Sequence, residues 1–160
     1  MQIRPATLNE VVQKPLDLLR PELDNRGITI KTKLARHLPA TPIDPTQTQQ
    51  ALLNLIKNAM QAMTKGGTLT LQTGESPEAV WVSVADTGGG IPQEQLNRIF
   101  EPFYTTKKKG SGLGLMIVQR IVRVVSSGAG KLSSIVAVTF TEKAAGEMKL
   151  RIRTELDRAL

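Results

Sequence analysis

The stretch DPTQTQQALLNLIKNAMQAMTKGG, residues 44–67, reads as one amphipathic helix with both ends marked. Asp44 is a good N-cap, Pro45 suits the first helical position, and Gln47 follows the cap by three residues. Leu52, Leu53, Ile56, Ala59, Met60 and Met63 recur at helical spacing and form an apolar face to about Lys65. Gly66 and Gly67 stop the helix. Beside that face stand Asn54 and Asn58, four residues apart and therefore on one side of the helix.

Upstream, residues 8–24 carry Leu8, Val11, Val12, Leu16 and Leu19 at helical spacing. Asn9 is the candidate cap, and Pro15 and Pro21 predict a kink or a late start. Residues 28–34 alternate (Ile28, Ile30, Thr32, Leu34), which predicts a strand, followed by a polar, proline-bearing loop through Pro42. Downstream, residues 68–73 and 79–85 alternate around GESPE, a hairpin with Val80, Val82 and Val84 on one face. A short helix is expected at about residues 93–100. Another, built on Leu115, Val118, Ile121 and Val122, follows a second glycine cluster. From Ser126 the character changes to one apolar strand, residues 135–141, and a charged helix from about Lys143.

Composition bounds the function. A chain of 160 residues is one domain by default and can bury a real core. Aromatics are 3%, so that core must be aliphatic. The absence of cysteine excludes disulfides and thiolate metal sites. No run approaches the ~18 apolar residues of a membrane span, and no signal peptide opens the chain, so the expected location is cytoplasmic, without membrane contact. The formal charge of +7 fits nucleic-acid contact, a polyphosphate site or a plain basic surface.

Three clusters carry candidate chemistry. Asn54 and Asn58 offer neutral oxygens of the kind that ligate a hard cation such as Mg²⁺, although a pair of helix-surface amides would look the same. DTGGGIP, residues 86–92, follows a strand. Its aspartate can accept a hydrogen bond from an exocyclic amine, and its glycines let backbone approach a flat ring; a strand-to-helix turn is the plainer alternative. GSGLGL, residues 110–115, precedes a helix, where backbone amides beside glycines form an anion site. Its G-x-G-x-G spacing is neither a dinucleotide fingerprint nor a P-loop.

The series Asn54/Asn58, DTGGGIP, RIFEPFYTTK (residues 98–107) and GSGLGLMIV resembles the N, G1, F and G2 boxes of histidine kinase catalytic domains. These belong to the gyrase, Hsp90, histidine kinase and MutL (GHKL) ATPases. The resemblance covers about residues 1–125, and the F box has the form usual in nitrogen-regulation-type sensor kinases. It implies an α+β fold: a two-layer α/β sandwich with a mixed sheet and helices on one face, here with an atypical C-terminal strand and helix. It implies ATP and Mg²⁺ as cofactors, with the γ-phosphate passed to a histidine on a separate dimerisation domain, and a response regulator as downstream partner.

By the same resemblance, Asn58 coordinates Mg²⁺ on the ATP phosphates and Asn54 lies near metal and phosphate. In hydrolytic relatives the position of Asn54 holds a glutamate that activates water; an amide cannot act as that base, which favours transfer over hydrolysis. Asp86 reads adenine, with Gly88, Gly90 and Ile91 under the nucleotide. Phe100 and Phe103 support a lid over about residues 100–114, and Thr106 and Lys107 on it approach the phosphates. Gly110, Gly112 and Gly114, with Leu113 and Leu115, form its C-terminal hinge, whose amides face the phosphates. The single histidine, His37, falls in a loop and reads as an incidental surface residue.

Residues 126–160 depart from the family pattern, which closes with a hairpin. IVAVTFTEKAAGEMKLRIR resembles the motif after the P-loop in UvrD/RecB-type helicases, and GAGK, residues 128–131, resembles a P-loop tail with Leu132 in place of the Mg²⁺-binding Ser/Thr. The segment is expected to pack on the same domain or to mediate a homodimer through Ala144, Met148, Ile152 and Leu156. Two other functions stay open on the sequence: an ATP-binding interaction module without turnover, and a nucleic-acid-binding helicase remnant.

Overall fold

The computed structural model describes residues 2–76, 79–96, 98, 101 and 108. Its elements in chain order are β1 (Arg4–Ala6), α1 (Leu8–Asn25), β2 (Ile28–Lys33), β3 (Thr41–Ile43), α2 (Pro45–Ala62), β4 (Gly67–Ser76), β5 (Ala79–Asp86) and α3 (Gln93–Leu96).

Asp44 caps α2 as expected: its Oδ1 accepts the Gln47 N–H at 3.0 Å, and Pro45 opens the helix. Its Oδ2 accepts the Gln2 N–H at 2.6 Å, which ties the N-terminal residues to the foot of α2. The Gln47 amide, with those of Gln2 and Thr46, holds this carboxyl below its ordinary value. The buried stripe of α2 is Thr48, Ala51, Leu52, Leu55, Ile56, Ala59 and Met60, and it continues in Met63 beyond the helix end. It differs from the expected face at Leu55, which is fully buried, and at Leu53, which is half-buried.

The first helix starts at Leu8 and runs unbroken through Pro15 and Pro21 to Asn25. Each proline removes one helical hydrogen bond, but burial of Leu8, Val11, Val12, Leu16, Leu19 and Leu23 supports the helix across both. Thr7, not Asn9, is the N-cap residue, and it makes no side-chain cap bond. Asn9 serves tertiary structure instead. Its Nδ2 donates to the Ala35 carbonyl at 2.8 Å, and its Oδ1 accepts from Thr73 Oγ1 at 2.6 Å. Thr73 Oγ1 in turn accepts the Ala35 N–H at 3.1 Å, so the buried hydroxyl closes a triangle joining α1, β4 and the segment after β2.

The main sheet has the order β2-β4-β5, parallel between β2 and β4 and antiparallel between β4 and β5. It is therefore mixed, as expected. Ile28, Leu69, Leu71, Val80, Val82 and Val84 point inward and are buried with the apolar stripes of α1 and α2, which pack against each other and the sheet. Thr29, Lys31, Lys33, Thr70, Gln72 and Trp81 occupy the alternate, outward positions. Trp81 stands opposite Gly74 in the register, and a Cβ at Gly74 would collide with its indole. The hairpin pairs as far as Ser76↔Ala79, so its strands take up most of the expected linker.

Part of the expected loop before Pro42 is strand: β3 pairs antiparallel with β1, from Arg4↔Ile43 to Ala6↔Thr41, in a separate two-stranded sheet. Among the described residues no helix is long and apolar enough to cross a membrane. The helix expected after the second glycine cluster, and the strand and helix of residues 126–160, lie outside the described residues.

Candidate functional site

The inner face of β5 ends in a charged residue. Val80, Val82 and Val84 are buried there, and the same alternation carries Asp86 inward at the strand's last position, 2% exposed. Its Oδ1 accepts the Gly88 N–H at 2.8 Å, an aspartate turn that bends the chain out of the sheet. Among the described residues its Oδ2 has no hydrogen-bond donor. Burial pushes the carboxyl up to about 6, against the lowering effect of the Gly88 bond. A buried carboxylate oxygen with no donor is costly to maintain for folding alone.

Gly88 fits where no other residue would. A Cβ there would lie 2.7 Å from both the Cβ and the carbonyl oxygen of Ala62, and 2.8 Å from Asp86 Oδ1. Ala62 is the last residue of α2, and Asn54, Asn58 and Ala62 are spaced by four on one side of that helix. The loop after β5 thus sits against the end of the amide stripe. The structure brings Asp86 and Gly88 against Ala62, the end of the helix that carries Asn54 and Asn58. Asn54 and Asn58 are half-buried, and Asn54 Oδ1 accepts from Gln50 Nε2 at 3.5 Å. Gly90 follows with φ 78°, a left-handed conformation suited to glycine, and Ile91 packs partly buried against the core.

The remaining residues singled out in the sequence, Phe100, Phe103, Thr106, Lys107, Gly110, Gly112, Leu113, Gly114 and Leu115, lie outside the described residues. His37 is exposed in the segment after β2, consistent with a surface residue. Two residues that sequence reasoning passed over belong to the site's frame. Ala62 closes the helix against Gly88, and Thr87 bonds to the start of β4. Ala62's spacing of four from Asn58 was the available signal; nothing local marks the partners of Thr87.

The site is a buried carboxylate and a glycine-rich loop that meets the end of the helix carrying two asparagines. Its carboxylate can accept a hydrogen bond from an amine donor. The chain belongs to the histidine kinase-, DNA gyrase B- and HSP90-like ATPases, whose family model matches residues 43–158. That match includes most of residues 126–160, the segment set apart as a tail. Sensor histidine kinase ZraS of Escherichia coli (strain K12) is 37% identical over 122 residues, covering 76% of this chain and 26% of that protein. Sporulation kinase A of Bacillus subtilis (strain 168) is 41% identical over 115 residues, covering 72% of this chain and 19% of that protein. The chain therefore spans about a quarter of the length of the curated relatives it matches.

Among solved structures, the nucleotide-free catalytic domain of histidine kinase ThkA superposes with a TM-score of 0.71 at 31% identity, covering 78% of this chain and 82% of that one. ThkA in complex with the response regulator protein TrrA gives a TM-score of 0.64 at 26% identity, covering 75% and 35%. The α+β fold with a mixed sheet and helices on one face is that of histidine kinase catalytic domains.

Proposed function

We propose that this chain is the ATP-binding catalytic domain of a two-component sensor histidine kinase, active in the cytoplasm. It would transfer the ATP γ-phosphate to a histidine on a separate dimerisation domain, with a response regulator as the next partner. The observation that carries this reading is Asp86: a buried carboxylate with one oxygen lacking a donor among the described residues, beside Gly88, where the chain admits no side chain. An adenine amine supplies the missing donor. Gly88 lets the loop close on the end of α2, which holds the Asp86 carboxylate beside the helix that carries the two asparagines.

In this reading Asn58 and Asn54 place amide oxygens toward Mg²⁺ and the phosphates, which suits an ion that prefers oxygen ligands. Bound Mg²⁺ neutralises charge on the phosphate chain. Neither amide can deprotonate water, so the acceptor histidine has no strong competitor. Gly90 and Ile91 border the base. Phe100, Phe103, Thr106, Lys107, Gly110, Gly112, Leu113, Gly114 and Leu115 are assigned to the lid and phosphate amides from their motif positions alone, as is the nitrogen-regulation-type subclass.

Calorimetry with Mg-ATP tests this directly. The chain should bind ATP only when Mg²⁺ is present, and should phosphorylate a separately supplied dimerisation domain on histidine. Binding without transfer would leave an interaction module, and no Mg²⁺-dependent binding would end the proposal. Residues 1–125 are proposed as the kinase domain and residues 126–160 as a segment that packs on it or pairs two copies. If it pairs two copies, light scattering should give about twice the chain mass for the full chain and the single-chain mass for one ending near Ser127. Equal monomer masses would end the pairing idea.

A further inference from the structure

We propose that Thr87 is a positioning residue for purine recognition: its hydroxyl latches the Asp86 loop to both the start of β4 and the end of α2. The proposal rests on the ATP-binding reading above. The Thr87 Oγ1 accepts the Thr68 N–H at 3.0 Å and donates toward Met63 Sδ at 3.8 Å. Met63 is buried directly after the last turn of α2, the helix that carries Asn54, Asn58 and Ala62. One hydroxyl therefore joins three pieces of chain, all within one residue of a strand or helix end.

The surroundings are built around that hydroxyl. A Cβ at Gly67 would lie 2.6 Å from Thr87 Oγ1 and 2.8 Å from Met63 Sδ, so only glycine leaves room for the latch. The Gly67 φ of 153° is likewise one that other residues rarely adopt. The Gly67 N–H reaches back to the Gly27 carbonyl at 3.4 Å, which seats the turn on the end of α1. Thr87 itself sits between Asp86, whose carboxylate is buried, and Gly88, which presses on Ala62. A shift at Thr87 moves the carboxylate and Gly88 together, relative to the amides on α2.

Positioning of this kind has a specific signature. Losing the latch should cost affinity for the base and spare affinity for the phosphates, because Asn54 and Asn58 stay on an intact helix. The test compares wild type, Thr87→Val and Thr87→Ser by calorimetry, with Mg-ATP and with Mg-tripolyphosphate as the base-free probe. Valine keeps the shape and removes the hydroxyl; serine keeps the hydroxyl. We expect Thr87→Val to weaken Mg-ATP about tenfold, the scale of one positioned hydrogen bond. Its tripolyphosphate affinity should stay within about twofold, and Thr87→Ser should bind Mg-ATP within about threefold of wild type.

Equal losses for both probes, no loss in Thr87→Val, or a loss in Thr87→Ser as large as in valine would each overturn the latch. If Thr87→Val does not fold, Thr87→Ala takes its place: an unchanged ratio of Mg-ATP to Mg-tripolyphosphate affinity overturns the latch, and a lowered ratio supports it. A wild-type chain that binds Mg-tripolyphosphate but not Mg-ATP better than it removes the purine reading itself. A wild type that binds ATP while Thr87→Val binds it equally removes only the latch.

Discussion

Replacing Gly88 by alanine is expected to destabilise the domain by about 1–3 kcal/mol and to weaken Mg-ATP binding at least about a hundredfold. The new methyl would meet the Ala62 carbonyl and Cβ at 2.7 Å and Asp86 Oδ1 at 2.8 Å, all shorter than real Cβ contacts. None of these atoms is the free end of a flexible side chain. Two belong to the last residue of α2 and one to a buried carboxylate, so relief requires the loop to lift from the helix. Lifting it moves the Asp86 carboxylate away from the amides. Gly89→Ala is the matched control: a Cβ there meets nothing within 4 Å, and its effect should fall within about 0.5 kcal/mol. Thermal melts and calorimetry on the pair check both halves. Similar behaviour of the two variants would refute the close approach.

Asp86→Asn should separate stability from binding. The carboxyl titrates in the fold at about 6 instead of 3.8, so protonation favours the folded state. The associated stability is fully present below 3.8 and is lost as the pH rises through about 6. At pH 7.5 the ionised form is therefore a burden: at 1.36 kcal/mol per pH unit it is on the order of 1–3 kcal/mol. Asparagine removes the charge and keeps an oxygen for the Gly88 N–H. We expect the melting temperature at pH 7.5 to rise by about 3–6 °C. ATP affinity should fall by more than about a hundredfold, because the amide presents a second donor where the base amine needs an acceptor. In the wild type, ATP affinity should be flat above pH 7 and decline below pH 6, as the acceptor takes up a proton. A variant that is less stable at pH 7.5, or that still binds ATP, would contradict the assignment of Asp86.

What could be read from the chain beforehand follows a physical division. Local chemistry was plain. The Asp44 cap, Pro45 at the helix start and the valine alternation of β5 each depend on near neighbours, and each is found in the fold. The position of Asp86 at the end of that alternation also follows from period alone. Features set by distant partners were hidden. Asn9 looks like a cap but faces Thr73 and Ala35, which lie 64 and 26 residues away. The strands β1 and β3 are three residues each and contain Pro5 and Pro42, so neither has the length or pattern that announces a strand. Leu55 belongs to a buried face of α2 that is wider than the stripe of Leu52, Ile56, Ala59 and Met60. The contact of Ala62 with Gly88 needed two elements already packed.

The indole over Gly74 has a practical result for such measurements. Trp81 is the chain's only tryptophan, on the side of the sheet away from α1 and α2, and five residues along β5 from Asp86, about 16 Å in an extended strand. Its intrinsic emission therefore tracks whether the hairpin is intact. A single unlabelled sample thus carries an optical gauge of unfolding, and its midpoint rises when a ligand binds the folded domain.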